Sequence, residues 1–130
     1  MIYLIGGLNM VIVEETLPKS TIILFILDIL GENNRNNLAI DFSKFFALIK
    51  EMDQNKIGIG YGKYYDDMDD GKPINNLLNR DLYELEDQGK IEVTLGNTIK
   101  IKDKGKEIVD LVRKLYNDVY MRIEKVILEK

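Results

Sequence analysis

Of the side chains that perform acid–base, nucleophilic or metal chemistry, this sequence carries carboxylates, hydroxyls, lysines and arginines, but neither histidine nor cysteine. Without cysteine there is no disulfide framework, thiol nucleophile, iron–sulfur cluster or thiolate zinc site. Without histidine there is no Ser-His-Asp triad, no imidazole metal site and no general base of naturally near-neutral pKa. Two stretches come nearest to a site. Gly58-Ile-Gly-Tyr-Gly-Lys63 approaches a nucleotide loop, but a P-loop has four residues between its glycines and Ser or Thr after its lysine. Here three residues separate Gly58 from Gly62, and Tyr64 follows Lys63. The dinucleotide fingerprint fails as well, because Lys63 occupies its third glycine position. Asp66-Asp-Met-Asp-Asp-Gly71 is acidic enough for calcium. With Gly71 as the loop's invariant glycine, however, Met68 falls at position 3 and Leu77 where glutamate is required. No carboxylate pair sits in an apolar setting that would raise one pKa. Tyr61, Tyr64 and Tyr65 either line a ligand pocket or form a partly buried turn. The expectation is a non-enzyme with no catalytic residues, no metal and no cofactor.

The elements that position these groups belong to a single domain. The chain has 130 residues and 15.0 kDa, is 45% hydrophobic, and balances 18 basic against 22 acidic residues for a net charge of −4. Met1 to Val13 is apolar and uncharged, but it lacks a basic flank and falls short of the ~20 residues that span a bilayer. A cytoplasmic, soluble protein is expected. Residues 1–15 read as an N-terminal extension, with Met10 an alternative start and Ile2–Ile5 and Val11–Val13 as short edge strands around Gly6-Gly7.

Ser20 is placed to cap a first helix over Thr21–Leu30, with Gly31 stopping it. Glu32–Asn37 is a polar linker. From Leu38 or Asp41 to Met52, the positions Phe42, Phe45, Phe46, Ile49 and Met52 recur at helical steps and predict a second helix. Pro73 suits the first turn of a third helix, whose stripe Ile74, Leu77, Leu78, Leu82, Leu85 ends at Gly89. Lys90–Leu95 and Thr98–Lys102 alternate as a hairpin. A three-residue Leu95-Gly96-Asn97 loop pairs Val93 with Ile99 and Ile91 with Ile101, and sets Glu92 across from Lys100. Asp103 is a candidate cap for a last helix running to the C-terminus, about 26 residues or roughly 39 Å at 1.5 Å per residue. Its apolar positions are Ile108, Leu111, Val112, Leu115, Val119, Ile123 and Val126, with no Pro or Gly after Gly105.

Helix, helix, helix, hairpin, helix is the order of a winged helix-turn-helix domain. The segment Leu82-Tyr-Glu-Leu85…Gly89-Lys-Ile91-Glu-Val93…Ile99-Lys-Ile101-Lys-Asp-Lys-Gly105-Lys-Glu-Ile108 resembles the stretch joining recognition helix, wing and following helix in PadR- and MarR-type regulators. Asp103 stands where those proteins usually have a helix-capping Thr. The match covers about residues 72–108, and residues 20–53 only by element order. Tyr61-Gly-Lys-Tyr64 is similar to the Tyr-Gly-Pro-Tyr turn of Panacea antitoxin-like domains, with Lys63 in place of the proline. The first resemblance implies an α+β, mostly α, winged-helix fold and a DNA-binding transcriptional regulator. It also implies a homodimer held by residues 103–130 through Leu111, Leu115, Val119, Ile123 and Val126. Simple packing of this last helix onto the first is the competing arrangement.

Winged helices lay the third helix in the major groove and touch backbone or minor groove with the wing. The third helix would read bases through Asn75, Asn76, Asn79 and Arg80, since Asn suits adenine and Arg suits guanine. The wing would meet phosphates through Lys90, Lys100, Lys102 and Lys104, with Lys106 close by. These lysines equally protect a sheet edge. The charge is uneven. Residues 64–89 hold two basic and eight acidic residues, net −6, whereas residues 90–130 hold ten basic and seven acidic, net +3. The acidic segment motivates the alternative of a winged-helix protein-interaction module without DNA binding.

Overall fold

The computed structural model describes residues 17–33, 40–55, 59, 61, 68–69, 72–73, 76–94 and 98–129. The expected N-terminal extension and its strands, the glycines at 58, 60 and 62, Asn75 and the tip of the hairpin lie outside the described residues. Among the described residues five helices and five short strands follow in order. They are α1 (Lys19–Asn33), β1 (Ile40–Asp41), α2 (Phe42–Asn55), β2 (Met68–Asp69), β3 (Lys72–Pro73), α3 (Asn76–Asp87), β4 (Ile91–Val93), β5 (Thr98–Ile101), α4 (Asp103–Arg113) and α5 (Asn117–Leu128). The protein is α+β and mostly helical. Among the described residues no helix is long and apolar enough to cross a membrane.

Helix α1 is the hub. Its run from Ile22 to Leu27, together with Ile29, is no more than 2% exposed. A helix apolar on every side must be enclosed on every side; α3, α4, α5, β1 and β5 all pack on it. At ~1.5–3 kcal/mol per fully buried large aliphatic or aromatic side chain, this helix supplies a large part of the core energy. Helix α2 adds Phe45, Phe46, Ile49 and Met52, with Phe42 stacked on Phe46 at 5.4 Å. Helix α3 adds Leu78, Leu82 and Leu85.

A three-stranded antiparallel sheet has the order β1-β5-β4. The hairpin register is the expected one: Ile91 faces Ile101, Glu92 faces Lys100 and Val93 faces Ile99. Strand β1 was not anticipated. Its Ile40 and Asp41 pair with Ile99 and Thr98, so the start of α2 is stitched to the hairpin. Asp41 also caps α2, accepting the N–H groups of Ser43 (2.8 Å) and Lys44 (3.2 Å) on Oδ1.

Several element ends differ from expectation. The Pro18 carbonyl, not the Ser20 side chain, receives the first α1 amides, those of Thr21 and Ile22. Gly31 does not stop α1, which runs on to Asn33. Pro73 lies in β3 opposite Met68, as suits a residue with no N–H to donate on a short two-stranded edge, and α3 begins only at Asn76. Lys102, extended at φ −101° and ψ 170°, is the N-cap of α4, and Asp103 is its first residue. The long C-terminal helix is not one helix. It turns at Lys114–Tyr116, and α5 folds back onto α1.

Candidate nucleic-acid interface

The leucines of α3 fix which of its polar residues face outward. With Leu78, Leu82 and Leu85 buried, the exposed positions are Arg80, Tyr83, Glu84 and Asp87. Asn79 is half-buried, and Asn76 opens the helix as its first residue. Arg80, the guanine-reading candidate, is not clear of acids. Its guanidinium lies 3.6 Å from Asp81 and 3.9 Å from Glu84. Such exposed pairs contribute ~0–1 kcal/mol, so a phosphate or base edge can compete for the arginine, but only against two carboxylates.

Two of the four acids of α3, Asp81 and Glu86, also make inward hydrogen bonds. Asp81 Oδ2 accepts the hydroxyl of Tyr61 at 2.5 Å, and that tyrosine is completely buried, with the Lys19 ammonium 5.9 Å from its ring centroid. Tyr61 is thus tied to α3, and fully rather than partly buried; Tyr64 and Tyr65 lie outside the described residues. Glu86 Oε2 accepts the N–H of Val93 at 3.1 Å. A carboxylate thus fills a backbone donor of edge strand β4 and clips the hairpin to α3. Of four acids on the helix, only Glu84 and Asp87 present their charge outward. A cleft of about 160 Å³ beside α3 is lined by Ser20, Asp81, Glu84, Leu85 and Gln88.

The joint between α3 and hairpin is set by two glycines. Gly89 has φ +77°, and its N–H bonds the Glu86 carbonyl while the Lys90 N–H bonds that of Leu85. This is a Schellman cap, in which glycine accepts the left-handed conformation without a Cβ clash. Gly105 is buried in the first turn of α4. A Cβ there would stand 2.4 Å from the Lys90 carbonyl oxygen, which already accepts the Lys102 N–H at 3.0 Å. The spacing from Gly89 to Gly105 is therefore what lets α4 dock against the base of the hairpin.

Lys100, Lys102 and Lys104 are exposed, and Lys90 is half-buried. Because Lys102 continues the extended chain beyond β5, Lys100 and Lys102 project from the same face. Their Cα atoms are roughly 6.6 Å apart, two base-pair rises of duplex at about 3.4 Å each. Glu92 is the exposed cross-strand neighbour of Lys100, whereas Lys102 bonds the Lys90 carbonyl. Among the described residues no carboxylate comes within ion-pair distance of Lys100, Lys102 or Lys104.

Lys106 has a different role. Its ammonium lies 3.2 Å from Asp28 Oδ1, and Tyr120 donates its hydroxyl to Asp28 Oδ2 at 2.7 Å. Asp28 is 3% exposed, in the middle of α1. The hydrogen bond to Asp28 outweighs desolvation and holds the Lys106 pKa above its ordinary 10.5. Burial first, and the Asp28 carboxylate second, push the Tyr120 hydroxyl well above its ordinary 10.0. The Tyr120 ring also meets Phe25 edge-on at 5.1 Å and carries the Arg113 guanidinium at 3.7 Å. One carboxylate thus clasps α4 and α5 to α1. In the sequence Asp28 reads only as an interruption of an apolar run. The missed signal is that a charge inside such a helix demands partners elsewhere in the chain.

The expected dimer stripe is divided by the turn at Lys114–Tyr116. Leu111 and Leu115 are 66% and 81% exposed, whereas Val119 and Ile123 are buried within the protomer against α1 and Val126 is half-buried. In this protomer Val119 and Ile123 therefore pack in the chain's own core. Met121 and Leu128 add exposed apolar area on α5. Among the described residues no three carboxylates gather as metal ligands. No protein-family model, curated protein or solved structure matches this chain.

Proposed function

We propose that this chain is a winged helix-turn-helix domain, a homodimeric, cytoplasmic transcriptional regulator that binds duplex DNA chiefly through its wing. The element order supports the reading, with β1, β5 and β4 binding the wing to the start of α2 and Glu86 binding it to α3. The observation that carries it is the exposed series Lys100 and Lys102 on extended chain and Lys104 in the first turn of α4, all unpaired among the described residues. Phosphate neutralisation by such residues supplies most of non-specific affinity. Helix α3 contributes Arg80 and its first-turn asparagines; the inward use of Asp81 and Glu86 reduces the repulsion that the raw charge suggests. A gel shift with a random duplex at low salt tests this. Wild type shifts the DNA, and Lys100→Glu/Lys102→Glu does not; equal shifts by both proteins, or by neither, refute the wing as the contact.

A second reading, a protein-interaction module, draws on the bracketing of Arg80 by Asp81 and Glu84 beside the acidic cleft. It is separated from the first by Glu84→Lys/Asp87→Lys. Removing outward acids raises DNA affinity if α3 faces a duplex. It leaves DNA affinity unchanged and abolishes binding of an oligolysine peptide if α3 faces a basic protein.

A further inference from the structure

The turn between α4 and α5 is made in a stretch whose residues are all competent to continue a helix. No glycine or proline follows Gly105. Lys114 keeps helical dihedrals (φ −59°, ψ −32°), and the N–H groups of Leu115 and Tyr116 both still donate to the Val112 carbonyl at 3.0 Å. Tyr116, at φ −125° and ψ 39°, leaves the helix, and α5 restarts at Asn117. As the first three residues of a helix, Asn117, Asp118 and Val119 have no acceptor within α5. A straight helix would give their N–H groups the carbonyls of Arg113, Lys114 and Leu115.

What holds the turn is tertiary. Val119, Tyr120, Ile123 and Ile127 are buried, and Tyr120 bonds Asp28 of α1. Arg113 bridges the corner, its Nε donating to Asn117 Oδ1 at 2.9 Å while its guanidinium covers the Tyr120 ring. What the turn leaves out is equally specific. Leu111, just before the corner, and Leu115, within it, are large apolar side chains mostly in water. On a straight helix Leu111, Leu115, Val119 and Ile123 follow at four-residue steps along one stripe.

We propose that α5 is an exchangeable arm: the corner opens into one continuous α4–α5 helix, and α5 docks on α1 of a second copy of this chain. The dimer part of the function proposed above is assumed here, and DNA binding is not. The occupant must be a second copy because α5 leaves behind a buried carboxylate, Asp28, that needs a hydroxyl donor at this depth. An identical Tyr120 supplies it with every other α1–α5 contact, so exchange costs little beyond association. Against that cost stand three new backbone hydrogen bonds per chain, and the burial of Leu111 and Leu115 where the straightened helices meet.

Spin labels at Lys104→Cys and Lys125→Cys test this in a chain with no other cysteine. Both positions are exposed. With labelled full-length protein diluted into unlabelled protein, the dimer fraction is expected to show an intrachain separation near 32 Å, from 21 residues at ~1.5 Å each. The monomer fraction is expected to show a shorter one. Asn117→Pro supplies the second arm, because proline is favoured at the first position of α5 but interrupts a continuous helix. It is expected to keep the monomer's circular dichroism and to weaken dimerisation by about 10⁴-fold, roughly 100-fold for each of the two straightened helices, while Asn117→Ala still dimerises. A dimer with the monomer's label distance, or one indifferent to Asn117→Pro, overturns the exchange and leaves the dimer standing. Absence of any dimer at high concentration overturns both.

Discussion

Gly105→Ala isolates the joint between the β4–β5 hairpin and α4. In an ordinary helix interior this substitution stabilises by up to ~1 kcal/mol, because alanine has the higher helix propensity and restricts the unfolded chain. Here the new Cβ would sit 2.4 Å from the Lys90 carbonyl oxygen and 2.9 Å from Ile101 Cγ1. The nearer atom is backbone. It is held by the Lys102 N–H at 3.0 Å and follows the Schellman cap at Gly89, so it cannot swing aside as a flexible side chain would. Relief requires α4 to lift from the hairpin, and overpacking against backbone takes the upper part, ~2–3 kcal/mol, of the usual range. The steric cost exceeds the propensity gain, giving a net loss of about 1–2 kcal/mol. At roughly 3–5 °C per kcal/mol for a domain of this size, the Tm falls by about 3–10 °C. Thermal melts by circular dichroism would measure it, with Glu107→Ala on the exposed face of the same turn as a control expected within ~0.5 kcal/mol. An unchanged or raised Tm in Gly105→Ala would show that the helix is not seated against Lys90 and refute the packing argument.

Tyr120→Phe removes the hydroxyl donor of a buried carboxylate and should cost ~1–3 kcal/mol in urea unfolding; a double-mutant cycle with Asp28→Asn should show strong coupling rather than additive losses. Because the folded state holds the protons on Tyr120 and Lys106 above their ordinary values of 10.0 and 10.5, their stabilisation is complete below pH 10. It is lost as pH rises beyond that, since the unfolded chain then releases protons that the folded chain retains. Melts between pH 8 and 11 should therefore fall less steeply for Tyr120→Phe than for wild type. Glu86→Ala should cost about 1 kcal/mol and speed hydrogen exchange at the Val93 amide, leaving the α5 amides untouched.

Where local pattern and tertiary packing agree, the sequence was readable. The alternation of Ile91, Val93, Ile99 and Ile101 gave the hairpin register, because a one-residue slip would turn all four outward. The stripes of α2 and α3 gave their buried faces in the same way. The failures share a cause. Lys114–Tyr116 is locally helix-competent, and the turn exists because α1 offers α5 a buried face with Asp28 waiting for Tyr120, a contact 92 residues apart. Strand β1 is two residues long and is defined by pairing with β5, far along the chain. Pro73 is equally at home in a first helical turn or on a strand edge, and propensity does not choose between them. For the interface, residue type suggested Lys100, Lys102 and Lys104. Only geometry shows that Asp81 and Glu86 are engaged in holding Tyr61 and Val93, and that Arg80 is bracketed by acids.

The most direct test is fluorescence anisotropy with a random duplex across a salt series. If Lys100, Lys102 and Lys104 each neutralise a phosphate, the wing alone contributes a slope of log K against log salt of roughly −2.7, at about −0.9 per contact. Lys100→Glu/Lys102→Glu should flatten that slope by about two contacts' worth. No binding at low salt, or a slope untouched by the wing substitutions, would contradict the account.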